Sequence, residues 1–244
     1  MFEHSIKTTT SAPGTFWASP WLTIPAPVLG SLFAVVLWLL LPPSDVMFVM
    51  REGSEGGVIE GMTEKLYFAL AAAMWLSPRQ PGEWRTTLAI TLLLIGAGAR
   101  EMDLHKALTG FSVLKVSFYL HDRPWHHKLI AFFCVALVAG AAIYLLLKYR
   151  RVLWERFKRL EPVTSGLAIF FATLVISKVL DRSISILDED FGIPSSLEVL
   201  ALVSALEESI ELTLPVMAGL MRWQYLKLYK HGAPAQPEQG RNNA

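Results

Sequence analysis

Residues 129–147 read LIAFFCVALVAGAAIYLLL and residues 21–41 read WLTIPAPVLGSLFAVVLWLLL, and neither stretch holds a charged side chain. A helix that crosses about 30 Å of hydrocarbon needs roughly 20 residues, so each run is long enough to span a bilayer. Inside a membrane every backbone polar group must find its partner within the protein, which restricts spanning structures to helices and closed barrels. Neither run shows the alternation of a barrel strand, and both exceed the length of a buried strand. The fold class read from them is all-α, a polytopic membrane bundle.

Four further segments fall short of a full span unless charged residues are taken into the bilayer. Leu66–Leu76 supplies only 11 apolar residues, so a second span must extend back through Lys65, Glu64 and Glu60. Thr86–Ala99 supplies 14, and a third must run on through Arg100, Glu101 and Asp103. Pro162–Ser177 supplies 16, with Lys178 at its edge and Asp181 just beyond. A sixth span over Leu200–Met221 is interrupted by Glu207, Glu208 and Glu211. With Trp21–Leu41 first and Leu129–Leu147 fourth, the sequence predicts six spans within residues 21–230. Residues 1–20 form a cytoplasmic leading segment, and residues 231–244, rich in Gly, Pro and Asn, form a disordered cytoplasmic tail. Met1–Pro20 is polar, so the first span is expected to act as an uncleaved insertion signal.

Composition agrees with the membrane reading: 53% of the 244 residues are hydrophobic and only 18% charged. The net charge of +1 leaves no electrostatic footprint for a nucleic-acid partner. The single cysteine, Cys134, excludes an internal disulfide and any CxxC site.

Basic loops set orientation. Lys148, Arg150, Arg151, Arg156, Lys158 and Arg159 lie between spans four and five, and Arg222, Lys227 and Lys230 follow span six. Both groups belong in the cytoplasm of a bacterial-type inner membrane, which places both termini inside. The awkward charges of spans two, three, five and six then converge on one layer in the outer half. Its members are Glu60, Glu64, Lys65, Arg100, Glu101, Asp103, His105, Lys178, Asp181, Arg182, Glu207, Glu208 and Glu211.

An ionisable side chain at the centre of a spanning helix costs about 2.5 to 3.5 kcal/mol on insertion scales, and such groups usually face a protein interior or a wet cavity. Glu60 with Glu64, Glu101 with His105, and Glu207 with Glu211 are four apart and share helix faces. Close carboxylates in a low dielectric need a proton, a basic partner or a metal between them. Pro215 removes the backbone donor that would otherwise reach the Glu211 carbonyl four residues earlier. Glu211 is also the deepest of the acids.

These patterns point to an acidic, cation- or proton-binding pocket made by Glu207, Glu208, Glu211, Glu64 and Glu101. Arg100, Lys178, Asp181 and Arg182 would tune its charge, and the expected use is ion-coupled transport of a small solute. A metal-dependent membrane enzyme acting on a lipid or isoprenoid at the outer leaflet is the alternative, with His105, His126 and Asp103 as ligands to a divalent metal. A third reading is a non-catalytic membrane subunit or assembly factor whose charges form a salt-bridge lattice. Ser165-Gly166 lacks the G-x-S-G pattern of a serine intramembrane protease, and no His-x3-His of a membrane zinc hydrolase occurs in the last span.

Overall fold

The computed structural model describes residues 16–50, 57–77, 82–104 and 124–230. Among them are seven α-helices and no strand: α1 (Pro25–Leu40), α2 (Pro43–Met50), α3 (Val58–Leu76), α4 (Trp84–Glu101), α5 (Trp125–Lys158), α6 (Pro162–Glu189) and α7 (Leu197–Tyr225). Two of them, α5 and α6, are long and apolar enough to cross a membrane, and α1 is a shorter apolar helix.

Prolines place most of the boundaries. Pro25, Pro43 and Pro162 open their helices in the first turn, where the missing N–H costs nothing. Leu41 is extended because it precedes Pro42, and Ser77 is extended before Pro78. The first apolar run therefore becomes a 16-residue helix beginning at Pro25, with residues 20–24 in a turn. At the start of α7 the Ser196 hydroxyl caps the Val199 N–H. Pro215 lies inside α7 without ending it.

α7 is the hub. It packs against α6 and α1 along its length, against α2 near its start, and against α3; α3 and α4 form an antiparallel pair, and α5 leans on α4. Apart from the short α2, the helices alternate in direction. Trp38 Nε1 donates to the Glu198 carbonyl at 3.0 Å, joining the end of α1 to the beginning of α7. The Gln224 amide donates to the carbonyls of Trp17 and Ser19 at 2.9 and 3.0 Å, joining the opposite ends. Gly30 lets α1 approach α7 closely, since a Cβ there would sit 2.7 Å from Thr213 Cγ2 and 2.9 Å from the Ser209 carbonyl oxygen.

Two apolar clusters fill the interior. One joins Ala34, Val46, Met50, Ile59, Ala201 and Ala205. The other joins Tyr67, Ala71, Met74, Leu94 and Leu214. The polar centre described next lies along α7 between the residues these clusters use.

Candidate functional site

α7 buries all three of its interior acids: Glu207 and Glu208 are 6% exposed and Glu211 is 4% exposed. Burial of this kind needs partners, because an isolated carboxylate out of water carries a penalty of several kcal/mol. Glu211 has three. The Ser177 hydroxyl donates to its Oε1 at 2.6 Å, and the Lys178 ammonium forms an ion pair with the same oxygen. The Glu101 carboxyl also comes within hydrogen-bonding reach. Helices α4, α6 and α7 thus each contribute to one centre.

Ser177 and Lys178 are neighbours on α6, where successive side chains diverge by about 100°. Both reach Glu211 because they approach differently. Ser177 is wholly buried in the α6–α7 seam, whereas Lys178 starts from the flank, wraps its methylene stem inward and keeps 31% of its side chain exposed. On α4 the approach is made by a glycine: Gly98 is three residues before Glu101, on the same face, and a Cβ there would meet Tyr67 and Phe68 at 3.0 to 3.2 Å. Without that side chain α3 and α4 close up, and Tyr67, 5% exposed, falls within electrostatic range of Glu101, Glu211 and Arg100.

A hydrogen bond between two carboxyl groups needs a proton on one of them, since a carboxylate only accepts. Were Glu101 and Glu211 to share one proton, the pair would carry a single negative charge, which the Lys178 ammonium would offset. Pro215 adds an asymmetry, because it leaves the Glu211 backbone carbonyl without its usual helical donor.

The other residues singled out by sequence are placed differently. Arg100 is exposed and acts on Glu101 through space. Glu60 and Glu64 are half-buried on α3, and Glu64 feels Glu60 and Lys65 rather than the centre. Asp181 is half-buried one turn beyond Ser177, and Arg182 is exposed. Asp103 lies past the end of α4 with a positive φ of 47°. His105 is outside the described residues. His126 is exposed at the start of α5, its ring edge-on to Trp125 and His127. Among the described residues no three His, Cys, Asp or Glu side chains are grouped as a metal ion would require.

Sequence reasoning passed over Ser177 and Tyr67. Ser177 closes an uncharged run directly before Lys178, and Tyr67 lies three residues after Glu64, so both adjoin positions that were singled out.

A cavity of about 320 Å³ opens between α1, α6 and α7, lined by Pro27, Val28, Ser31, Leu32, Thr173, Ile176 and Ile210. The Ser31 and Thr173 hydroxyls bond carbonyls of their own helices, so its walls act as apolar. It adjoins the acid centre through Ile176 and Ile210, the sequence neighbours of Ser177 and Glu211, and Glu211 does not line it.

At the opposite end of the bundle Tyr225 donates to Glu83 Oε1 at 2.9 Å. Nearby, Thr86 joins Tyr149 at 3.0 Å and accepts from Lys148 at 2.6 Å. No protein-family model, curated protein or solved structure matches this chain.

Proposed function

We propose that the chain is a six-span inner-membrane protein with both termini in the cytoplasm, and that Glu101 and Glu211 bind and release a proton that drives movement of a small solute. The six spans would be α1 and α3 to α7, with α2 packed at the outer end. The observation that carries the reading is the meeting of Glu101, Glu211, Ser177 and Lys178 at a buried point on the hub helix. Three separate spans each bring a polar side chain into hydrocarbon, where insertion costs are highest. A proton suits the centre better than a metal cation, because Lys178 already occupies one Glu211 oxygen. Lys178 and the shared proton compete for the same carboxylate, so a small displacement of α6 against α7 would change proton affinity. Such coupling between helix position and protonation is what an ion-driven carrier needs.

Glu211→Gln tests the reading. The amide oxygen can still accept from Ser177 and Lys178, but the shared proton is gone. Purified protein reconstituted in vesicles with a pH-sensitive dye inside is expected to move protons in the wild type and not in the variant, while the melting temperature in detergent stays near that of the wild type. Loss of folding in Glu211→Gln would instead identify a salt-bridge lattice that only joins helices. Orientation is tested separately by cysteine labelling in a background lacking Cys134. Asp190→Cys should react from outside and Lys227→Cys only after the membrane is opened; the reverse pattern overturns the topology.

A further inference from the structure

The basic end of α5 does not continue along the bundle. Depth can be counted from the Glu211 centre at about 1.5 Å per residue. Ser177 and Glu101 mark depth zero on α6 and α4. The contact that a Cβ at Gly96 would make with Val138, 2.9 Å away, fixes Val138 about 8 Å below that level. If α5 ran parallel to α4, Arg156 would lie about 35 Å below the centre. Glu161, however, donates its N–H to the Arg156 carbonyl at 3.1 Å, and the same residue accepts from the Ser165 N–H at 2.9 Å. Gly166 is held beside Met221, where a Cβ would be 3.1 Å from Met221 Cγ, and Glu161, sixteen residues before Ser177, sits only about 24 Å below the centre. The two depths differ by about 11 Å, about two helical turns. The last turns of α5 are therefore inclined toward the inner end of α6 instead of continuing parallel to α4. This agrees with how little α5 touches α6 despite the short turn between them.

This inclined segment carries Lys148, Arg150, Arg151, Arg156, Lys158 and Arg159 against one acid, Glu155. At about 100° per residue, Arg150, Trp154, Phe157, Lys158 and Arg151 fall within an arc of roughly 120°. Trp154 is 60% exposed and Phe157 42% exposed, their rings stack at 6.4 Å, and Lys158 lies over the Trp154 ring at 5.1 Å. Arg150, Arg151 and Arg159 are exposed and make no ion pair among the described residues. Aromatic rings set among Arg150, Arg151 and Lys158 on one exposed face match the boundary between acyl chains and charged headgroups.

We infer that residues 148–159 lie in the inner headgroup layer and bind anionic phospholipid, with Arg150, Arg151 and Arg159 taking the phosphates and Trp154 and Phe157 entering the acyl boundary. The inference rests on the membrane-spanning reading above, which is checked first by carbonate extraction. Release of the chain by carbonate would overturn that reading. A chain that stays in the membrane leaves the lipid assay to decide this inference alone. Protein in neutral detergent is titrated with phosphatidylglycerol or with phosphatidylcholine, and its melting temperature is followed. Phosphatidylglycerol is expected to raise it by about 4 °C more than phosphatidylcholine does, the shift expected when a ligand at several times its Kd stabilises a protein of this size. The triple variant Arg150→Gln, Arg151→Gln, Arg159→Gln is expected to lose that difference, and the corresponding triple Lys variant to keep it. Equal shifts with both lipids, or a glutamine variant that still prefers phosphatidylglycerol, would overturn the inference. Inorganic phosphate alone reproducing the shift would also overturn it.

Discussion

α5 and α7 are opposites. α5 has 34 residues, the more apolar stretch of the two membrane-length helices, and only two buried side chains, Ala131 and Ala141. α7 has 29 residues, three acids in its middle, and thirteen buried side chains. In a water-soluble protein the most apolar helix would be the most enclosed, because burial of apolar surface drives folding. Here the apolar helix is the exposed one. That inversion is what a hydrocarbon solvent produces: lipid receives apolar side chains as readily as a protein core does, and polar groups are the ones that need enclosure. It also explains why α5 and α6 carry long uncharged apolar stretches and the hub does not.

The sharpest way to break the contrast is at Lys178. Lys178→Met leaves the Glu211 carboxylate without its cation, at a cost of about 3 kcal/mol; this is the low end for a broken buried pair, because the ammonium keeps 31% of its side chain exposed. Melting in detergent should show the loss, and adding Glu211→Gln should recover most of it, since neither partner is then charged. A double variant as unstable as the single one would show that Lys178 acts elsewhere.

Gly30→Ala probes the close seam between α1 and α7. Its new Cβ would press on a backbone carbonyl that cannot move aside, so about 1 to 3 kcal/mol should be lost. Gln224→Leu removes two hydrogen bonds that tie α7 to Trp17 and Ser19, for about 1 to 2 kcal/mol, read in the same melting assay. Gly140→Ala, on α5, should act in the other direction. Nothing lies within 4 Å of its added Cβ, and alanine is the better helix former, so stability should rise by up to about 1 kcal/mol. A large loss at Gly140 would mean that α5 is covered by a partner after all.

Most helix positions were legible because apolar runs and prolines mark them directly. α2 was not, since the eight residues Pro43–Met50 are too few to display a period. α6 runs on to Glu189, well past the apolar run ending at Ser177, because alternating polar residues there continue the helix after the hydropathy signal stops. At the site, spacing within one helix identified Glu211, but not which helices face each other. Glu60 and Glu64 show the limit. They share a face, yet the buried face of α3 is Ile59, Thr63, Tyr67, Ala71 and Met74, one step round the helix. The carboxylates are left on the flank, while Tyr67 meets the centre. Ser177 was obscured for a similar reason, since its role depends on α6 lying against α7, which no local pattern encodes.

Four hydroxyls of the bundle are occupied at home. Ser31 bonds the Pro27 carbonyl, Thr63 that of Ile59, Thr173 that of Ile169 and Thr213 that of Ile210, each within its own helix. A helix carrying such residues can enter a bilayer alone, with those groups already satisfied. Glu211 cannot, because its partners belong to α4 and α6. On the proposed six-span reading, ribosomal synthesis delivers α4 and α6 before α7, so the acids would arrive when Glu101, Ser177 and Lys178 are already in place to receive them. The order of elements along the chain is then an order of assembly, in which the helix least able to stand in lipid by itself is also the one never required to wait there.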